Sequence, residues 1–197
     1  MKEYGQFIKD FSALMEAKSV QGEPKDGMPF GQGVADAFNV FKRISHDMGF
    51  TVIDYDGYMG EVYIPSDNGD GEPFGIIGHL DVVPAEGAWN TPPFALTLKD
   101  GVFYGRGVQD DKGPTLACLY AVKELLDEGY KFKRPLRFFI GLNEESGWRD
   151  VDYFLTKSSF PNEGFSPDGN FPVTYAEKGV YRVIFKIPYK RSQNQFL

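Results

Sequence analysis

Four short stretches of this sequence concentrate side chains that bind cations or move protons. They are Gly78-His79-Leu80-Asp81, Gly107-Val108-Gln109-Asp110-Asp111, Asn143-Glu144-Glu145-Ser146 and Ser166-Pro167-Asp168-Gly169. His79 and Asp81 stand two residues apart, so the carboxylate can accept a hydrogen bond from one ring nitrogen and leave the other free for a metal. The same pair also serves as an ordinary polar contact at a strand end. Asp110 and Asp111 open a helix, and one reading is capping, in which a carboxylate accepts from orphan backbone N–H groups. The other gives the two acids separate tasks, one bridging two metal ions while its neighbour is held by local backbone donors. Glu144 and Glu145 are adjacent at the end of a buried strand, where they repel each other unless positive charge is supplied. A metal ion supplies it, with one glutamate as ligand and the other free to take a proton from water; a solvated loop pair is the plainer alternative. Asp168 lies in a turn sequence that carries no functional message by itself.

The elements that must position these groups are legible from spacing. Residues 2–18 repeat Tyr4, Phe7, Ile8, Phe11, Leu14 and Met15 at helical intervals, and residues 33–48 do so with Val34, Phe38, Phe41 and Ile44, which predicts two amphipathic helices. Gly22 to Gly31, rich in Gly, Pro and charge, reads as the loop between them. Thr51-Val52-Ile53 and Glu61-Val62-Tyr63-Ile64 flank Asp56-Gly57 and predict a strand pair. Phe74–Gly78 and Leu136–Gly141 are apolar runs that predict buried strands, and Asp100-Gly101 predicts a hairpin between Thr97–Lys99 and Val102–Tyr104. Pro114 to Glu128 predicts a helix stopped by Gly129. A short helix is expected over 148–155 and strands over 173–176 and 180–187. The strand, helix, strand alternation across 74–141 predicts an α/β sheet covered by helices. Functional groups in such sheets gather at the carboxyl ends of strands, where the polar clusters fall.

Composition narrows the function classes. With 197 residues, 42% hydrophobic and 16% aromatic, the chain can bury a substantial core, and no linker or repeat divides it. A net charge of -7 argues against nucleic acid as a partner, because phosphate binding needs clustered Lys and Arg. The single cysteine, Cys118, lies in an apolar run and reads as a core thiol, which leaves no internal disulfide and no thiolate zinc site. His46, in a helical stretch, reads as surface. The first residues lack a signal-peptide pattern and no apolar run spans a bilayer, so the expected setting is the cytoplasm, without a membrane partner.

Taken in order, Gly78-His79-Leu80-Asp81-Val82-Val83-Pro84, Gly105-Arg106-Gly107 with Asp110-Asp111-Lys112-Gly113, Asn143-Glu144-Glu145 and Ser166-Pro167-Asp168 resemble the aminoacylase/carboxypeptidase G2 superfamily of zinc peptidases. Trp89-Asn90-Thr91-Pro92-Pro93-Phe94 and Ser166 to Val173 are similar to its PepV-like dipeptidase branch, and the likeness runs from about residue 5 to about residue 187. The resemblance implies a three-layer α/β catalytic domain of the zinc-peptidase (phosphorylase/hydrolase-like) type, a mixed β-sheet flanked by helices, present in part. It implies two Zn2+ ions, with Mn2+ or Co2+ as substitutes. His79 and Asp168 would bind one ion, Glu145 the other, and Asp110 both. Asp81 would orient His79, and Glu144 would act as general base, passing a proton from the bridging water to the leaving nitrogen. The implied substrate is a dipeptide or an N-acyl amino acid. A cis peptide bond before Asp111 is implied as well.

Members of that superfamily are considerably longer, with a distal histidine completing the second zinc site and an inserted lid domain. On this basis residues 1–178 are expected to be the N-terminal part of the catalytic domain and residues 179–197 the start of a truncated lid. His46 and His79 are the two histidines present. The second zinc is therefore expected to be under-coordinated, the chain inactive or impaired as a fragment, and apolar surface exposed. Two alternatives stand beside dipeptide hydrolysis. One is N-acyl amino acid deacylation or desuccinylation on the same metal core. The other is a non-catalytic remnant that binds at most one zinc. These motifs do not encode the oligomeric state.

Overall fold

The computed structural model describes residues 4–67, 71–179, 181 and 183–188. Helix α1 (Tyr4–Glu16) buries Phe7, Phe11, Leu14 and Met15, and helix α2 (Gln32–Asp47) buries Val34, Phe38, Phe41 and Ile44. These are the stripes that helical spacing sets. Strands β1 (Val52–Tyr55) and β2 (Met59–Ile64) pair across the Asp56-Gly57 turn, both of whose residues adopt positive φ. Strand β3 (Phe74–His79) follows, then β4 (Thr97–Lys99) and β5 (Val102–Tyr104), which form a separate hairpin through Asp100-Gly101. Helix α3 (Lys112–Asp127) carries Pro114 in its first turn and ends before Gly129, at φ 79°. Strand β6 (Leu136–Gly141), the short helix α4 (Arg149–Leu155) and strand β7 (Glu163–Phe165) complete the order.

The main sheet has five strands in the order β1-β2-β6-β3-β7. Strand β2 is antiparallel to β1 and β6, whereas β3 is parallel to β6 and β7, so the sheet is mixed. The period of two along each strand sends neighbouring side chains to opposite faces. Val62, Ile76, Phe138 and Ile140 join α1, α2 and α3 in the main core, while Met59, Ile77 and Phe139 meet Val151 and Phe154 of α4 on the other face. Helices thus cover both faces in three layers. Phe138 is fully buried, and its truncation to Ala should cost about 3–5 kcal/mol.

One glycine sets the geometry of the functional end. A Cβ at Gly78 would lie 2.1 Å from Thr115 Oγ1 and 2.8 Å from the Asp111 carboxylate. Its absence lets the start of α3 rest directly on the end of β3, beside His79.

The expected strand over 173–176 does not form. Its residues are described but unpaired, with Val173 and Tyr175 75% and 98% exposed; alternating side chains alone cannot hold a strand without a neighbouring ladder. Of the strand expected over 180–187, positions 180 and 182 lie outside the described residues. Tyr181 and residues 183–187 carry no strand, and Tyr181, Val183, Ile184, Phe185 and Ile187 are exposed. Conversely, β7 was not foreseen, because three residues of Glu-Gly-Phe show no period. It forms by backbone pairing with β3. Among the described residues, no helix is long and apolar enough to cross a membrane.

Candidate metal centre

His79 closes β3, Asp110 lies just before α3, Glu144 and Glu145 occupy a 3-10 turn after β6, and Asp168 follows β7. Because β3, β6 and β7 run parallel, their carboxyl ends share one edge of the sheet and these loops converge there. His79 Nε2 lies 3.0 Å from Asp110 Oδ1, 3.4 Å from Asp168 Oδ2 and 3.9 Å from Glu144 Oε2. One ligand atom from each of His79, Glu144 and Asp168 falls within 4.8 Å of the others. The Nε2 atom is buried and has no hydrogen-bond partner among the described residues. Buried polar atoms are ordinarily satisfied, so an orphaned imidazole nitrogen facing three carboxylates fits the N/O donor set of a divalent cation.

A second layer of side chains fixes these groups from behind. His79 Nδ1 lies 3.0 Å from the backbone carbonyl of Asp81 and 3.3 Å from its carboxylate. That carboxylate accepts the backbone N–H groups of Glu144 and Glu145 at 3.1 and 3.0 Å. Asp81 therefore does more than touch the imidazole, since it ties the glutamate turn to the histidine. Asp111 Oδ2 accepts the His79 backbone N–H at 3.1 Å and the Thr115 hydroxyl at 2.8 Å. It stands at the N-cap of α3 without capping it. The Asp110-Asp111 peptide is cis. Of the two readings of this acidic pair, the geometry fits separate tasks: Asp111 binds backbone and Asp110 faces His79.

Other positioning groups escaped the sequence reading. Asp150 Oδ2 accepts the backbone N–H groups of Leu142 and Asn143 at 2.8 and 2.9 Å, which anchors the entry to the glutamate turn. In sequence it looks like an ordinary acid in the first turn of a short helix. Lys112 is buried and donates to the Leu14 and Ala17 carbonyls at 3.0 and 2.7 Å, tying the Asp110 loop to the end of α1. Its place directly after two acids was the available signal. Burial pushes the Lys112 ammonium down to about 7, against the pull of Asp81.

Charge crowding is the electrostatic signature of this edge. Burial pulls His79 down, but Asp81, Asp111 and Glu144 outweigh it and hold the imidazole at about 10. Burial pushes Glu144 above the usual carboxylate range; His79 opposes this, while Asp168 and Glu145 add to it. Asp168 and Glu145 are raised by burial and then by Asp110. Asp111 rises to about 7, mainly from burial. A proton on His79 and a divalent cation are alternative ways of balancing these carboxylates. Asp110 and Glu145 both stand outside the ligand-distance group of His79, Glu144 and Asp168. His46 has an 89% exposed side chain on α2, and Cys118 packs against the main core, as their sequence contexts suggested.

A mixed, helix-covered sheet thus gathers one histidine and several carboxylates at its parallel strand ends, the donor types of a divalent-metal site. The chain belongs to peptidase family M20/M25/M40, whose model matches residues 75–181. A protein of Bacillus subtilis (strain 168) described as "Putative dipeptidase YtjP" is 35% identical over 189 residues, which cover 94% of this chain and 40% of that protein. A Staphylococcus aureus (strain USA300) protein also described as a "Putative dipeptidase" is 36% identical over 177 residues, covering 89% of this chain and 37% of that protein. The chain thus spans about 40% of the length of such relatives. Human carnosine dipeptidase 1 matches with a TM-score of 0.65 at 27% identity, over 78% of this chain and 35% of that one. An M20 family metallo-carboxypeptidase from Sulfolobus solfataricus shares the fold, with a TM-score of 0.65 at 21% identity over 86% and 38%.

Proposed function

We propose that this chain carries the metal-binding and proton-transfer groups of a zinc-dependent dipeptidase. The observation that carries the reading is the orphaned Nε2 of His79, facing Asp110, Asp168 and Glu144. Dipeptidase descriptions among the relatives and the human structural neighbour support the choice of substrate. His79, Asp168 and Asp110 would hold one zinc, and Glu145 with Asp110 would serve a second. Bound zinc would polarise the scissile carbonyl and lower the pKa of water towards about 7.

The remaining work falls to the chain's own side chains. Asp81 keeps His79 and the Glu144-Glu145 turn in register through its backbone carbonyl and its carboxylate. Glu144, part-exposed and raised in pKa, accepts a proton from water and delivers it to the leaving amide nitrogen. Residues 1–178 form the N-terminal part of the catalytic domain and residues 179–197 begin a lid. Within these 197 residues, His79 is the histidine that faces the cluster, and Asp110 with Glu145 is an incomplete set for the second ion. A polypeptide limited to them holds the first zinc more firmly than the second and turns over slowly.

Hydrolysis of a dipeptide panel by the zinc-loaded protein and its Glu144→Ala variant tests the assignment. The expected result is zinc uptake retained through His79 and Asp168, with hydrolysis reduced about 10²–10⁴-fold. Equal hydrolysis by both would remove Glu144 from the chemistry.

A further inference from the structure

A small cavity opens beside the carboxylate cluster on the α4 side of the sheet. Its volume is about 120 Å³, and its lining brings His79, Glu144 and Asp168 together with Ile77, Val151 and Trp148. Its floor continues into the small core formed by Met59, Phe139 and Phe154. Two polar side chains of the wall are already engaged by backbone amides. Asp150 accepts three backbone N–H groups through its two oxygens, and Ser166 Oγ accepts the N–H of Asp168. What remains is an apolar surface ending at the reactive cluster. Met59, fully buried in that floor, is unbranched and adapts to whatever rests on it.

We propose that this cavity receives a branched aliphatic side chain of the peptide substrate, on the residue whose carbonyl faces His79, Glu144 and Asp168. The inference rests on the hydrolase reading above. A scissile carbonyl seated among those three residues leaves its own side chain at the cavity mouth. Size then limits the occupant. An apolar cavity of about 150 Å³ accommodates benzene, so the space here suits a valine or leucine side chain better than an indole. Away from the reactive cluster, the walls offer a charged side chain no free carboxylate or cation, which disfavours its entry there.

The test uses a Trp89→Phe chain, in which Trp148 is the remaining tryptophan, titrated with N-acetyl-leucinamide and with N-acetylglycinamide while its emission is followed. The expected result is a saturable shift with the leucine compound at concentrations roughly tenfold or more below those the glycine compound needs. Val151→Phe fills the cavity and should erase that difference. Val151→Ala enlarges it and should move the preference towards N-acetyl-phenylalaninamide, which keeps the test decisive if the larger residue disturbs folding. Equal responses to the leucine and glycine compounds, or no change in preference in either variant, would overturn the proposal. Zinc titration of the same samples reads the hydrolase proposal separately. A leucine response without zinc binding keeps the pocket and removes the hydrolase, and zinc binding without a leucine preference does the reverse.

Discussion

Two sets of carboxylates share one edge of the sheet and differ in what they hold. Asp81, Asp111 and Asp150 are 1%, 0% and 1% exposed, and each accepts backbone N–H groups at that edge. Asp110, Glu144 and Asp168 have side chains 55%, 36% and 32% exposed and converge on His79 Nε2. Residue type does not separate the sets, nor does sequence position, since Asp110 and Asp111 are neighbours. The difference is whether a backbone amide reaches the carboxylate. Among these six, where one does the acid builds the edge, and where none does its charge is left for a ligand; Glu145, half-buried and met by the Val83 backbone amide, stands between the two sets.

That contrast breaks in a definite order. Asp150→Ala leaves the buried N–H groups of Leu142 and Asn143 unsatisfied, and should lower stability by roughly 2–4 kcal/mol in urea unfolding. A loss below about 0.5 kcal/mol would deny it a building role. Asp168→Asn should do the opposite, leaving stability within about 0.5 kcal/mol while weakening zinc binding at least 10–100-fold, roughly the loss that even outer partners of a metal cause. A comparable loss of stability in both variants would erase the distinction between the sets.

A third expectation concerns pH. In the metal-free chain His79 is held at about 10, above an unfolded value near 6.5. Its stabilising contribution is full below about pH 6.5 and is lost as pH rises towards 10. Urea stability of the wild type should therefore decline over that window relative to His79→Gln; parallel curves would contradict the charge balance described here. The smallest effect belongs to His46→Ala, on the exposed face of α2, which should leave stability and zinc affinity unchanged within about 0.5 kcal/mol.

The sequence revealed this edge unevenly, for physical reasons. Helices α1 and α2 were readable from apolar residues at helical spacing, α3 from its composition between Pro114 and Gly129, and strands β3 and β6 from short apolar runs. Strand β7 was not, because three residues carry no period and pairing with β3 decides their state. His79, Asp110, Glu144, Glu145 and Asp168 were legible as short motifs at strand ends, and Asp168 only through the resemblance. Asp150 was hidden because its partners are backbone amides, which leave no mark in a sequence. The dual role of Asp81 was half visible: spacing placed it near His79, but its grip on Glu144 and Glu145 comes from a loop more than sixty residues away.

Calorimetric zinc titration of the chain and of His79→Gln, in two buffers of different ionisation enthalpy near pH 7.5, tests the metal reading most directly. The expected result is zinc bound through His79 with release of about one proton per ion from its imidazolium, and a loss of that binding in the variant. Absence of zinc binding, or equal affinity and proton release in both proteins, would contradict it.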